Sequence, residues 1–357
     1  MHWEWVVNDI LDDFLRKSPR PLLDAALYWN GDTLKLTRGA RPSVSSLVFE
    51  IGSVGKTFTT TLLALLIRDG LVKLDDRVGL YCSNYPFGHS VTLRDLASHT
   101  AGLPRNPAGR WAMLTRGRQF AEAFTAADLD RFLRGLPGKR QAARYRYSNV
   151  GMALLGRILG ARLGMTYEEA VIEWICTPLG MSDTRTGWRG YSAHRLVPGH
   201  DPRGRPVPPF VWAGMEAAGV WRSTVGDMMK FLGAQLGLAG PAWAALARSA
   251  VQPVARMSSD TRVGLGWMLS DVHGIGPMAW HAGGTFGQES VVGWALEGQM
   301  AMVILTNRIP SLWQYYLQVD RRLKNLPARI VSALTGLRDS GHRGRSGQQE
   351  GHDRSRL

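Results

Sequence analysis

Cysteine is scarce in this 357-residue chain, which contains only Cys82 and Cys176. Two cysteines exclude a disulfide-rich scaffold and a four-cysteine zinc site. The 41 glycines and 18 prolines follow no G-X-Y period, so a collagen-like chain is also excluded. Hydrophobic residues make up 45% of the chain and charged residues 20%, which is typical of a globular protein long enough for a sizeable core.

Long apolar runs are absent as well, since no stretch approaches the roughly 20 residues that a membrane span needs. The N-terminus lacks the basic segment and apolar run of a secretory signal peptide. It instead places apolar residues at helical spacing, which predicts an amphipathic helix, at Trp5, Val6, Ile10, Phe14 and Leu15. We therefore expect a cytoplasmic protein with reduced thiols and no membrane partner.

Lysine is rare, with 7 residues, although lysine and arginine together number 43 against 29 acidic residues. The resulting net charge of +14 raises the hypothesis of a nucleic-acid-binding protein. The arginines are scattered along the chain, however, and form no patch or stripe in the sequence. We interpret the charge as an arginine-rich surface and expect no nucleic-acid partner.

The order of predicted elements indicates an α+β fold. Residues 25–37 predict two strands around an Asn30-Gly31 turn, residues 47–52 are extended, and a buried helix starts near Ser53. Helical patterns dominate the middle, strands return after about residue 262, and residues 319–336 predict a last helix. The two ends are expected to form one antiparallel sheet flanked by helices, with a mainly helical lobe inserted.

This order predicts one two-lobed catalytic domain over residues 1–337. Its α/β lobe takes about 1–70 and 247–337, and its helical lobe takes about 71–246. Residues 338–357 are rich in Gly, Ser and Arg and poor in apolar residues, which predicts a disordered tail.

The clearest candidate nucleophile is Ser53, which stands three residues before Lys56 at the predicted helix start. Residues at i and i+3 share a helix face, so the amine can reach the hydroxyl. A buried lysine has a lowered pKa and can act as the base that activates a serine. The pair alone is weak support, because a helix-capping serine beside an unrelated lysine would give the same pattern.

Two further motifs follow in the chain. Tyr147 and Asn149 form Y-x-N ahead of a helix, where a phenol can relay protons and an amide can bind substrate. His281 and Gly283 form H-x-G at a strand end, where paired glycines allow close backbone approach. Asn149 as a helix cap and His281 as a structural histidine are the alternatives. The sequence contains no G-x-S-x-G, H-E-x-x-H, P-loop or G-x-G-x-x-G motif.

Taken together, S-x-x-K, Y-x-N and H-x-G resemble the motifs of serine hydrolases of the class C β-lactamase and DD-peptidase superfamily. FEIGSVGKTFTTTLLALLIRDGLVKLDDRV looks like the nucleophile block of that superfamily. VTLRDLASHTAGLP is similar to its His-Thr-Ser-Gly-Leu segment, with Ala101 in the serine position. The resemblance covers roughly residues 20–310 and implies a β-lactamase/transpeptidase-like fold.

The resemblance also implies roles for these residues in a two-step acyl transfer. Ser53 would be the acylated nucleophile, Lys56 its base partner and Tyr147 the proton shuttle to the leaving group. The backbone N–H groups of Ser53 and Gly284 would form the oxyanion hole. Side chain or backbone contacts to substrate would come from Asn149, His281 and Gly283.

One departure from the family pattern bears on the substrate. Superfamily members that bind a substrate carboxylate usually have lysine where this chain has His281, and a histidine near neutral pH binds carboxylates weakly. We therefore expect an esterase or amidase that acts on a small molecule. A transacylase that passes the acyl group to an amine or alcohol is the first alternative, and a β-lactamase or D-amino-acid peptidase is the second. Neither a metal nor an organic cofactor is expected.

Overall fold

The computed structural model describes residues 4–15, 22–39, 46–138, 144–273, 275–298, 300–307 and 329–330. Helix α1 (Glu4–Leu15) confirms the predicted N-terminal helix, and its Val7 and Leu11 are buried. Strands β1 (Leu23–Trp29) and β2 (Asp32–Arg38) form the predicted hairpin. Asn30 and Gly31 turn the chain with φ angles of +50° and +99°, a region open to Asn and Gly at low cost.

The remaining strands are short in the middle of the chain and long near its end. They are β3 (Phe49–Glu50), β4 (Gly199–His200), β5 (Pro206–Val207), β6 (Arg222–Ser223), β7 (Ala255–Arg256), β8 (Arg262–Val263), β9 (Met268–Val272), β10 (Gly276–Gly284), β11 (Glu289–Ala295) and β12 (Met300–Thr306). Within the described residues, eight strands form one antiparallel sheet in the order β2-β1-β12-β11-β10-β9-β8-β7. Strand β1 pairs directly with β12, so the two ends of the chain complete one sheet and the α+β prediction is confirmed.

Helices occupy the segments between these strands. They are α2 (Lys56–Arg68), α3 (Leu93–Ala97), α4 (Arg110–Ala123), α5 (Ala126–Arg134), α6 (Asn149–Leu163), α7 (Tyr167–Val171), α8 (Glu216–Gly219), α9 (Val225–Gln235) and α10 (Pro241–Ala250). Helix α2 is buried from Lys56 to Leu66, as its nearly continuous apolar sequence predicts.

The central strands are covered on both faces, because alternate side chains along each strand enter different cores. On β12, Val303 and Leu305 join the large core, which includes residues of α2 and α9. Met302 and Ile304 join a second core with Leu11 of α1. This double cover holds the inner strands in place, and β10 among them runs alongside the nucleophile segment.

The division into lobes stays a prediction, with one structural observation bearing on it. Helix α9 packs against β1 and β12 and so lies on the sheet, although its residues fall within the range 71–246. The predicted tail at 338–357 lies outside the described residues, and so does the predicted helix at 319–336 apart from residues 329–330.

Candidate active site

Ser53 lies on a single 3-10 turn (Gly52–Gly55) between β3 and α2. Helix α2 itself begins at Lys56, three residues later than the sequence predicted, because the chain first makes this tighter turn. The residue that caps α2 is Gly55, and no side chain bonds the cap. The Ser53 hydroxyl is therefore not used for helix capping, and its side chain is partly exposed.

Glycines allow three segments to meet at this turn. A Cβ atom on Gly283 of β10 would lie 2.1 Å from the Ile51 carbonyl oxygen and 2.9 Å from the Ser53 nitrogen. A Cβ atom on Gly52 would lie 2.6 Å from the Gly284 nitrogen. Real Cβ atoms do not come this close, so only glycine permits the contact. The end of β10 thus lies directly against the backbone that carries Ser53.

Lys56 is buried, and its Nζ lies 2.9 Å from Ser53 Oγ. The same nitrogen donates a hydrogen bond to the carbonyl oxygen of Ala218 in α8. Burial, assisted by the positive charge of Arg105, holds the pKa of Lys56 well below its ordinary value. The low pKa favours the neutral amine, which is the form that can accept a proton from Ser53.

Tyr147 completes the group, although 94 residues separate it from Ser53 in the sequence. Its hydroxyl donates a hydrogen bond of 2.7 Å to Ser53 Oγ. The Lys56 Nζ lies 5.0 Å from the centre of the tyrosine ring. The structure therefore brings together the three side chains that the resemblance assigns to catalysis.

Asn149 is the first residue of α6, but it does not cap the helix. The capping side chain is Ser148, whose Oγ accepts a 2.9 Å bond from Gly151 N–H. Asn149 instead donates through Nδ2 to Asn106 Oδ1 at 2.7 Å, while its own Oδ1 is buried without a hydrogen-bond partner. A buried acceptor of this kind is suited to an N–H or O–H donor from a ligand. The cap alternative for Asn149 is therefore wrong.

His281 lies on β10 and is buried. Its Nδ1 is 2.8 Å from the carbonyl oxygen of Ala282, and because a carbonyl only accepts, Nδ1 carries a hydrogen. Gly283 and Gly284 end the strand beside the Ser53 turn. Their proposed contacts with substrate and oxyanion stay predictions.

His99 is a site residue to which sequence reasoning gave no role. It adopts a left-handed backbone with φ of +60°, and its ring centre lies 4.5 Å from that of Tyr147. The His99 Nδ1 accepts a 3.1 Å bond from Ser148 N–H. Burial and then the charge of Lys56 hold the pKa of His99 well below its ordinary value. A neutral imidazole thus packs against the Tyr147 ring. The only sequence signal for His99 was its place in the segment HTAGL.

A buried ion pair lies behind the nucleophile and was also missed. Arg222 of β6 contacts Glu50 of β3 at 3.2 Å, and both side chains are buried. Glu50 also accepts hydrogen bonds from Phe210 N–H and from the Thr285 hydroxyl. Glu50 thus connects β3, the strand before Ser53, to Thr285, the residue that follows β10. Nothing in the local sequence pattern marks these two residues as partners.

Two tryptophans near the site, Trp212 and Trp221, are core residues. Trp221 is completely buried and contacts the Phe58 ring edge-on, with ring centres 5.4 Å apart. Trp212 is also buried, between Phe124 and Phe210. The Trp221 side chain therefore belongs to the core that packs against α2.

Membrane-spanning helices and metal-binding clusters are both absent from the described part of the chain. No helix there has the length and apolar character to cross a membrane. No cluster of three or more histidine, cysteine or acidic side chains there is arranged to hold a metal ion.

Comparison with known proteins gives matches in sequence and in structure. The chain matches the family described as Beta-lactamase over residues 11–319. The D-alanyl-D-alanine-carboxypeptidase/endopeptidase AmpH of Escherichia coli (strain K12) is 32% identical over 203 residues, which cover 54% of this chain and 49% of AmpH. The chain thus spans about half the length of that relative. Penicillin-binding protein 4 of Amycolatopsis lactamdurans is 29% identical over 311 residues, or 79% of each chain.

Among solved structures, a class C beta-lactamase superposes with a TM-score of 0.80. The superposition covers 93% of this chain and 96% of that one at 21% identity, so it shows a shared fold. The family match extends over most of the chain and includes Ser53, Lys56 and Tyr147. This chain therefore belongs to the beta-lactamase family.

Proposed function

We propose that this chain hydrolyses esters or amides of small molecules through an acyl-Ser53 intermediate. The observation that carries the proposal is the pair of contacts at Ser53 Oγ, 2.9 Å from Lys56 Nζ and 2.7 Å from the Tyr147 hydroxyl. A neutral Lys56 amine can accept the proton of Ser53 while the Tyr147 hydroxyl donates to the same oxygen. These hydrogen-bonded groups activate a serine that is otherwise a poor nucleophile.

The reaction then proceeds in two steps, acylation of Ser53 and hydrolysis of the acyl-serine ester. Ser53 Oγ bonds to the substrate carbonyl carbon as its proton passes to Lys56, and Tyr147 delivers a proton to the departing alcohol or amine as its bond to carbon breaks. Water next attacks the acyl-serine ester, gives up one proton through the same groups, and releases the acid as Ser53 regains its hydrogen. The backbone N–H groups of Ser53 and Gly284 would bind the carbonyl oxygen in both steps.

His281 is the reason for preferring esters and amides. Its buried imidazole provides no permanent positive charge at the position where carboxylate-binding family members have lysine. A β-lactamase or D-amino-acid peptidase activity is the second candidate. It is supported by the similarity to a D-alanyl-D-alanine carboxypeptidase and to a penicillin-binding protein.

Active-site labelling tests the proposal directly. A fluorophosphonate probe is expected to add once per chain, with the adduct on the peptide that contains Ser53. Ser53→Ala should abolish the adduct, and Lys56→Ala should slow its formation by about 100-fold or more, the lower range for loss of a general base. Equal labelling of wild type and Ser53→Ala would contradict the proposal.

A substrate panel then separates the candidate reactions. Aryl esters, aryl amides, a chromogenic cephalosporin and a peptide ending in D-Ala-D-Ala are compared by kcat/KM, with products identified by mass spectrometry. Higher kcat/KM for esters or amides supports the first candidate, and the reverse order supports the second. Addition of amine and alcohol acceptors reports transacylation, because the acyl group then appears on the acceptor instead of in the free acid.

A further inference from the structure

The aromatic ring of Tyr147 contacts a second cation besides Lys56. The guanidinium carbon of Arg105 lies 4.9 Å from the ring centre, while the Lys56 nitrogen lies 5.0 Å from it. Arg105 is exposed to solvent, whereas Lys56 is buried. Tyr147 therefore contacts both an exposed arginine and the nucleophile, whose Oγ is 2.7 Å from the tyrosine hydroxyl.

The backbone around Arg105 is anchored to the start of α6. The carbonyl of Pro104 accepts a 2.6 Å bond from the Ser148 hydroxyl, and the carbonyl of Arg105 accepts a 2.8 Å bond from Asn149 N–H. Asn106 adds the side-chain bond to Asn149 at 2.7 Å. Three consecutive residues are thus fixed to the segment that contains Tyr147. The backbone position from which the Arg105 side chain extends is therefore fixed relative to the reacting atoms.

Among the described residues, the charged neighbours that shift the pKa of Lys56 and of His99 are basic. Arg105 is the charged neighbour that lowers the pKa of Lys56. The neighbours that lower the pKa of His99 are Lys56, His281 and Arg105. Among these groups, the Arg105 guanidinium is the one that always carries its positive charge, and a guanidinium matches a carboxylate with two parallel hydrogen bonds.

We propose that Arg105 selects substrates that carry a carboxylate close to the scissile carbonyl. This inference rests on the proposed acyl-Ser53 function and specifies its substrate class. Arg105 places its permanent charge beside Tyr147, from the loop that precedes α4, whereas β10 has no permanent charge at His281. A carboxylate bound by Arg105 would therefore lie at a different position from one bound at β10. The substrate carboxylate would thus bind on the side of the site that contains Tyr147 and Asn149.

A matched pair of substrates tests the selection. The 4-nitrophenyl ester of glutarate with a free terminal carboxylate is compared with the same compound methylated at that carboxylate, so that only the charge differs. Wild type is expected to prefer the anionic ester in kcat/KM by about 10-fold or more, as for one hydrogen-bonded charge pair. Arg105→Ala should lower this anionic-to-neutral ratio by about 10- to 100-fold, and Arg105→Lys should retain part of it.

The ratio cancels any general loss of activity, because both substrates use the same catalytic groups. Arg248→Ala is the matched control, since it removes the same charge from an exposed position on α10. The ratio in this control should equal that of wild type. A wild-type ratio near one both for this pair and for a second pair with the carboxylate on the leaving group would overturn the selection by Arg105. A preference that is unchanged in Arg105→Ala would overturn it as well.

A second pair places the carboxylate on the leaving group, as a carboxyphenyl acetate and its methyl ester. An Arg105-dependent ratio with this pair also supports the proposal and assigns the anion to the leaving-group side. Turnover of all four esters without charge preference refutes the role of Arg105 and leaves the acyl-Ser53 function intact. Absence of both turnover and Ser53 labelling refutes the proposed function and this inference with it.

Discussion

The proton on Lys56 is controlled by burial and by one neighbouring charge, and both act in the same direction. Burial removes water from the ammonium form, and the Arg105 guanidinium repels it, so the pKa lies well below the ordinary value of 10.5. The sequence pattern identified Lys56 because it stands three residues after Ser53. The environment that makes its amine a base comes from α8 and from the Arg105 loop, which are distant in sequence.

This arrangement predicts the direction of a pH effect. Activity on a neutral ester should rise with pH as Lys56 loses its proton, with a midpoint below 10.5. Removal of the Arg105 charge makes protonation of Lys56 easier, so its pKa rises and the acidic limb of kcat/KM moves to higher pH in Arg105→Ala. The pH profile of Arg248→Ala should match wild type. A limb that stays in place or moves to lower pH in Arg105→Ala would contradict this account.

Among the structural elements, the end of β10 and the turn that carries Ser53 depend on each other. Their contact requires glycine, because a Cβ on Gly283 would lie 2.1 Å from the Ile51 carbonyl oxygen and 2.6 Å from Ser290 Oγ. The Ser290 hydroxyl bonds that same carbonyl at 2.7 Å. The sequence indicated a close backbone approach at the glycine pair, but the partner segment was known only from the resemblance.

Gly283→Ala is therefore expected to push β10 away from the turn and to disturb the proposed oxyanion hole. The expected loss in kcat is about 100- to 1000-fold, the range for removal of one oxyanion donor. Gly109→Ala is the control, since a Cβ there meets no atom within 4 Å and its backbone, with φ of −60°, is open to alanine. Wild-type kcat in Gly283→Ala would show that the contact is not needed for catalysis.

For the molecule as a whole, the buried pair of Glu50 and Arg222 connects segments that are far apart in the chain. Arg222 donates to the carbonyls of Thr186 and Phe210 as well as to Glu50, so its charge is well solvated by protein atoms. Burying two charges costs free energy, and the many hydrogen bonds offset it. Removal of one partner leaves the other charge buried and uncompensated.

Arg222→Met should therefore lower the free energy of unfolding by about 3–5 kcal/mol, measured by urea denaturation. Adding Glu50→Leu to this variant should restore part of the loss, because no unpaired charge then remains. The exposed pair of Arg118 and Glu122 on α4 provides the comparison, and Arg118→Ala should cost less than about 1 kcal/mol. Equal costs for Arg222→Met and Arg118→Ala would contradict a stabilising role for the buried pair.

The sequence by itself determined the features that depend on short spacings. Strand alternation and the Asn30-Gly31 turn predicted the first hairpin, and the order of elements predicted one antiparallel sheet completed by both chain ends. The spacing of Ser53 and Lys56 predicted that their side chains share a face, which the 2.9 Å contact confirms. These patterns are legible because the backbone geometry of a helix, strand or turn repeats within a few residues.

Only the tertiary structure decided the features that depend on distant partners. The tyrosine bonded to Ser53 is 94 residues away, and the serine that bonds Ile51 is 239 residues away. The burial of Trp221, the ring contact of His99 with Tyr147 and the pairing of Glu50 with Arg222 likewise have no local signature. Such contacts arise because packing and the pairing of buried charges join whichever segments the fold brings together, and local periodicity carries no information about them.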